Sequence, residues 1–278
     1  MAFVKENPMF QRVLSLLLSL TVVSFAAVAE ESIEPHEILD RVVDAVGGEA
    51  FAKIGVLKLE VSQEEIRIDG TSTKKSYTAY VSTMDLENQR IEYPDKLVIG
   101  HNLAGGWSTM AGVMDDRPQT SVRAERSLNQ TLFPLLLPHS LKMEGVRASE
   151  YREATLNERQ VWLVALPFLK GFFNSPVLNT SWLMVVDQQD ASLVTMEFFP
   201  SPEFRDVSPV GVRYRVIEYQ EVAGAKIPEQ ILAVGINYRG EESGNSRVTR
   251  IKASVHGQWD PVLFLSPTQI EALEEKDE

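Results

Sequence analysis

Two periods of apolar and polar residues run along this chain. From Ile33, the apolar residues Ile33, Ile38, Leu39, Val42, Val43 and Val46 recur at helical spacing, while Glu34, Glu37, Asp40, Arg41 and Asp44 take the other face. The pattern predicts an amphipathic helix that Gly47-Gly48 ends with a left-handed cap. From Val56 the period shortens to two. Leu57, Leu59 and Val61 alternate with Lys58, Glu60 and Ser62, and Ile66 and Ile68 lead into an Asp69-Gly70 turn. Tyr77, Ala79 and Val81 supply the apolar face of a returning strand, so this stretch predicts a β-hairpin.

Strand signals then dominate. Val161 to Leu166, Trp182 to Val186, Leu193 to Phe199, Arg213 to Val222, Ile227 to Asn237 and Arg247 to His256 are rich in β-branched and aromatic residues. Asn157-Glu158, Gln189-Asp190, Ala223-Gly224 and Gly240 to Gly244 mark reversals between them. Short turns without crossover helices predict an antiparallel meander. No repeat or linker divides the chain, so one domain is expected, followed from Pro267 to Glu278 by a short acidic helix or a frayed tail.

Two segments depart from this pattern. Leu128, Leu132, Leu135 and Leu136 are spaced like a helix face that Pro134 interrupts and Leu137-Pro138 closes. Such a stripe is either a core helix on the sheet or a lid over a cavity. Between Leu166 and Phe173, the residues Phe168, Leu169, Phe172 and Phe173 surround Lys170-Gly171 in a loop-like stretch. So apolar a loop is expected to be buried under the fold or to meet a ligand or partner.

The N-terminus changes the setting. Lys5 and Arg12 precede an apolar run from Val13 to Val23 that leads to Ala27-Val28-Ala29, the order of a secretory signal peptide over residues 1–29 cleaved after Ala29. Ser15, Ser19, Thr21 and Ser24 interrupt the run, which is shorter than the ~20 residues that span a bilayer. No stable membrane insertion is expected after cleavage. Cleavage removes Lys5, Arg12 and Glu6, so the net charge of −12 becomes −13. No nucleic-acid partner is expected for so acidic a chain, since binding it requires a basic face. The sequence has no cysteine, which excludes disulfides, thiol chemistry and cysteine-bound metal.

Catalytic patterns are missing. His36, His101, His139 and His256 are scattered, without the close spacing that puts two ligands on one metal. Ser108 follows Gly106-Trp107 but lacks the second glycine of a nucleophile elbow. Glu64-Glu65, Asp115-Asp116 and Glu241-Glu242 adjoin turns and read as solvated charge. The sequence therefore predicts no enzyme, no cofactor and no metal site.

One resemblance covers most of the chain. It rests on Val46-Gly47-Gly48-Glu49-Ala50, the strand Ile54 to Glu60, Tyr93-Pro94-Asp95-Lys96, Gly105-Gly106-Trp107, Trp182 to Val186 closing on Asp187, Val222 to Pro228, and Phe264-Leu265-Ser266-Pro267. In this order they resemble the periplasmic outer-membrane lipoprotein-sorting (LolA/LolB-like) carrier superfamily. The resemblance implies a mainly β fold over residues 30–266: a strongly curved antiparallel sheet, or half-open β-barrel, with helices covering its concave side. It also implies a periplasmic, non-enzymatic carrier of acyl chains, lipids or lipoproteins, or else an envelope sensor that uses the same sheet to bind an envelope protein. The carriers' arginine after the Pro-Asp element has no counterpart, because Leu97, Val98 and Ile99 follow Lys96. Trp107, Leu132, Leu136, Phe168, Phe172, Trp182 and Met184 are the wall or lid candidates under this reading, and ordinary core residues otherwise.

Overall fold

The first helix forms where the periodicity places it. Over α1 (Pro35–Asp44), Ile38, Leu39, Val42 and Val43 are buried, and Pro35 opens the helix where its missing N–H costs nothing. The chain turns at Gly47, whose φ of 81° suits glycine and whose Cβ would lie 2.7 Å from the Gly224 carbonyl oxygen. A second short helix, α2 (Gly48–Ala52), follows at once and buries Phe51. These features come from a computed structural model that describes residues 33–167, 181–199, 211–237 and 239–277. The leader at 1–29, Phe168 and Phe172 lie outside the described residues. The described residues from Glu34 onward belong to one compact unit.

Two antiparallel meanders make one sheet. The first runs outward through β1 (Val56–Ile66), β2 (Ser72–Ser82), β3 (Gln89–Glu92), β4 (Leu97–Asn102), β5 (Gly105–Met110) and β6 (Val113–Met114). The second comprises β7 (Glu150–Leu156), β8 (Arg159–Pro167), β9 (Ser181–Asp187), β10 (Leu193–Phe199), β11 (Gly211–Val222), β12 (Ala225–Ile236) and β13 (Glu242–Gly257). Their order is β6-β5-β4-β3-β2-β1-β13-β12-β11-β10-β9-β8-β7, so the first strand pairs with the last. That seam runs from Val56 opposite Gly257 to Ile66 opposite Ser246. The predicted single meander is thus two meanders back to back. The curved sheet stays open, with β6 and β7 as its edges.

Turn chemistry fixes the hairpins. Ala223 and Gly224 have φ of 51° and 85°, the successive left-handed residues of a tight hairpin turn, and Gly70 has φ of 81° at the β1–β2 tip.

A helix joins the two edges. Between β6 and β7 the chain forms α3 (Thr120–Leu135), with Pro134 inside its last turn. It sits closely on β5, where a Cβ on Gly106 would fall 2.4 Å from the Ser121 carbonyl oxygen. Leu128, Leu132, Leu135 and Leu136 pack with Phe51, Leu57, Leu59, Val61, Tyr77, Ala79, Val81, Ile91 and Ile251 in one core cluster. This defines the concave face of the sheet.

The opposite face of the first meander is strapped by the C-terminal segment. Asn102 Nδ2 donates to the Phe264 carbonyl at 2.9 Å, and Arg90 Nη1 donates to the Leu263 carbonyl at 3.0 Å. Beyond them α4 (Pro267–Asp277) takes the first of the two forms expected of the acidic tail, a short helix.

Candidate ligand site on the concave face

Residues paired directly across an antiparallel sheet share a face, so the register lays out the concave face in rows. One row, Ala79, Leu59 and Ala253, lies in the apolar cluster. The next, Tyr77, Val61 and Ile251, is also buried there. Two residues further along β1 the character changes. Lys75, Gln63, Thr249, Ile231 and Val216 form the third row. The fourth runs Glu65, Arg247, Ala233, Tyr214, Met196, Met184 and Val164 across seven strands.

The predicted site residues separate on this grid. Leu132 and Leu136 are fully buried under α3 in the apolar cluster. Met184 is fully buried in the fourth row, and Trp182 lies beside it on the same face of β9. Helix α3 reaches that end through Phe133, whose ring meets Trp182 edge-on at 5.4 Å. Trp182 also stacks on Tyr214, with ring centroids 5.8 Å apart and planes 17° apart. These four candidates thus share one face.

Trp107 does not join them. Its neighbour Gly106 faces α3, so alternation turns Trp107 to the other side. There its Nε1 donates to the Phe264 carbonyl at 3.0 Å and its ring covers Gly100. Trp107 anchors the C-terminal strap and does not line the concave face. Phe168 and Phe172 fall outside the described residues.

A polar group sits among the apolar rows of this face. Gln63 is 4 % exposed, and its Nε2 donates to the Tyr77 hydroxyl at 3.2 Å while its Oε1 has no partner. Arg247 lies close enough to Tyr214 to draw the pKa of its hydroxyl down, yet its own buried Nε has no partner. Its nearest carboxylate, on Glu65, is 3.8 Å from Nη1 and half exposed. Burial pushes the hydroxyls of both Tyr77 and Tyr214 to higher pKa, and Arg247 offsets part of that rise. Gln63 was within reach of the sequence, since it continues the inward-facing alternation of Leu59 and Val61. Arg247 was not, because its partner lies two strands away.

Tyr77 also borders a cleft of about 430 Å³ on the free side of β2, formed where β3 ends but β2 continues. Val61, Tyr93 and Pro94 line it together with Glu60 and Glu92.

Titratable groups elsewhere are dispersed. His139 stacks on Phe51 at 4.0 Å and meets the Lys226 carbonyl at 3.0 Å through Nε2. Burial lowers its pKa to about 4. His101 meets the Glu87 carbonyl and His256 packs on Tyr80. Among the described residues no group of three or more His, Cys, Asp or Glu could hold a metal ion, and no helix is long and apolar enough to cross a membrane.

No family model matches the sequence, and no curated protein does. Solved structures do match. A LolA superfamily protein from Nitrosomonas europaea is similar over 84 % of this chain and 98 % of its own, with 12 % identity and a TM-score of 0.56. A DUF1329 family protein from Desulfovibrio piger is similar over 85 % and 99 %, with 11 % identity and a TM-score of 0.55. An outer membrane lipoprotein-sorting protein domain from Vibrio parahaemolyticus is similar over 85 % and 99 %, with 10 % identity and a TM-score of 0.53. At such identities the likeness is one of fold, and the fold of this chain is LolA-like.

Proposed function

We propose that the protein is an exported, periplasmic, non-enzymatic carrier or binder of acyl-chain ligands, free lipids or lipoproteins. The observation that carries this reading is the run of buried apolar side chains on the concave face, from Leu132 and Leu136 through Phe133 to Trp182, Met184 and Met196, covered by one helix on an open sheet. Methionine adapts its shape to irregular apolar partners, and each methylene buried there contributes about 0.8 kcal/mol. An alkyl chain can therefore be held without covalent attachment. The fold shared with a lipoprotein-sorting domain supports the same reading. The non-enzymatic part rests on the dispersal of the histidines, since His101, His139 and His256 each contact a backbone carbonyl or a ring and none meets a nucleophile.

Native purification from the periplasm, followed by mass spectrometry of extracted lipid and titration with a fluorescent acyl probe, tests the proposal. Co-purifying acyl lipid and saturable probe binding are expected. A folded protein that carries no lipid and binds no probe would overturn it. N-terminal sequencing of the same material is expected to begin at Glu30. The alternative of an envelope sensor or protein-interaction module depends on Phe168 to Phe173, which lie outside the described residues.

A further inference from the structure

A guanidinium drawn partly out of water beside apolar side chains costs stability unless something anionic meets it. Arg247 is permanently charged and only partly buried, its side chain 30 % exposed; its Nε is nonetheless buried without a partner, and its ion pair with Glu65 is loose, at 3.8 Å from Nη1. Gln63 is also incompletely satisfied, 4 % exposed with a free Oε1. Both face the same side of adjacent strands, since Gln63 pairs with Thr249 and Glu65 with Arg247. The charges and titratable groups around this point are the Glu65 carboxylate, the Lys75 ammonium one row away, and the hydroxyls of Tyr77 and Tyr214. Only one of them is an anion.

From this deeper view of the carrier reading, on which it rests, we infer that Arg247, Tyr214 and Gln63 form a head-group site for a single-chain anionic amphiphile. The anion is a carboxylate or a phosphate monoester. The small Ala233 separates Arg247 from Tyr214 in the row, which leaves the guanidinium room to extend across β12 toward the tyrosine. Rotation of the Gln63 amide keeps its bond to Tyr77, which then donates to the amide oxygen, and turns two N–H donors toward the head group. Beyond Tyr214 the row becomes apolar through Met196 and Met184. At ~4.8 Å per strand, the four steps from β13 to β9 span about 19 Å, the length of an extended long-chain acyl group. One row thus offers a cationic end and an apolar track in register.

The experiment compares three ligands that share one tail: palmitate, 1-palmitoyl lysophosphatidate and hexadecanol, each competing with a fluorescent acyl probe. Wild-type protein is expected to bind at least one of the anions about tenfold or more tighter than the alcohol, as charge-assisted hydrogen bonds to a partly buried arginine require. The tighter anion identifies the head group. Arg247→Met is expected to reduce anion affinity to that of the alcohol while alcohol affinity stays within about twofold, and Arg247→Lys to restore part of the preference. Equal binding of anions and alcohol by the wild type, or an undiminished preference in Arg247→Met, would overturn the head-group site and leave the carrier reading standing. Failure to bind any of the three would remove both. If circular dichroism shows Arg247→Met unfolded, the wild-type ratio and Arg247→Lys still decide.

Discussion

The concave face shows two chemistries within a few residues of the same strands. On β1, Leu57, Leu59 and Val61 meet the leucines of α3 in a filled apolar cluster. Two positions further, Gln63 meets Tyr77 and carries an unpartnered oxygen, and Arg247 on the adjoining strand carries an unpartnered nitrogen. Side chains such as Leu59 and Leu132 stabilise the fold by leaving water. An unsatisfied buried polar atom does the opposite, at about 1 to 3 kcal/mol. The apolar level therefore accounts for stability, and the polar level is kept at a cost that binding can offset.

Mutations can separate the two levels. The largest effect is expected from Leu132→Ala in the apolar level, which opens a cavity at a fully buried site and should cost about 2 to 5 kcal/mol in urea unfolding. A loss below about 1 kcal/mol would mean that α3 is loosely seated and acts as a lid rather than as core.

Next comes a pH effect, rooted in the same level through the stacking of His139 on Phe51. The folded pKa of about 4 lies below the ordinary value of 6.5, so only the unfolded chain takes up this proton between those limits. The stabilisation is full above pH 6.5, falls as pH drops, and is gone below about pH 4, a change of about 3 kcal/mol. Urea titrations at pH 7.5 and 4.5 should show a steeper loss for wild type than for His139→Gln. Parallel losses in the two proteins would count against a neutral buried His139.

Trp107→Phe should be smaller still, about 1 kcal/mol, because it removes one hydrogen bond to a carbonyl that Asn102 also reaches. Acyl-probe affinity should not change, since Trp107 lies on the other face. A weakened affinity would join that face to the site. The smallest expected change is for Gln63→Leu, within about 1 kcal/mol in either direction, since it removes the unpartnered Oε1 but strips the Tyr77 hydroxyl of its bond. A loss of several kcal/mol would show that Gln63 is structural and erase the contrast between levels.

The local half of this architecture was legible in the sequence. Period-two alternation located β1 and β2, and the Ala223-Gly224 and Asp69-Gly70 turns located hairpins, because both signals reside in adjacent residues. The pairing of β1 with β13 left no such mark, since register between distant strands arises only when faces meet. The site divides in the same way. Spacing marked Leu132 and Leu136 for burial, as they are, whereas the side taken by Trp107 depends on how closely α3 approaches Gly106. Gln63 broke an apolar alternation and was visible, but a glutamine near a strand end reads as solvated. Arg247 became informative only once β12 and β11 set Tyr214 in its row.

The seam between β1 and β13 also sets a clock. Hairpins within each meander join neighbours and can close early, but Val56 must wait for Gly257, near the far end of the unit. A sheet with so remote a pairing has a large loop-closure cost and folds slowly. Until the seam closes, β1 and β13 each present an unpaired edge, the kind of surface through which chains aggregate. Glu60, Glu64 and Glu65 along β1, and Arg247, Arg250 and Lys252 along β13, then have a kinetic part to play. Opposite charges on the two edges favour the correct partner, and like charges on two copies of the same edge oppose self-association during the wait.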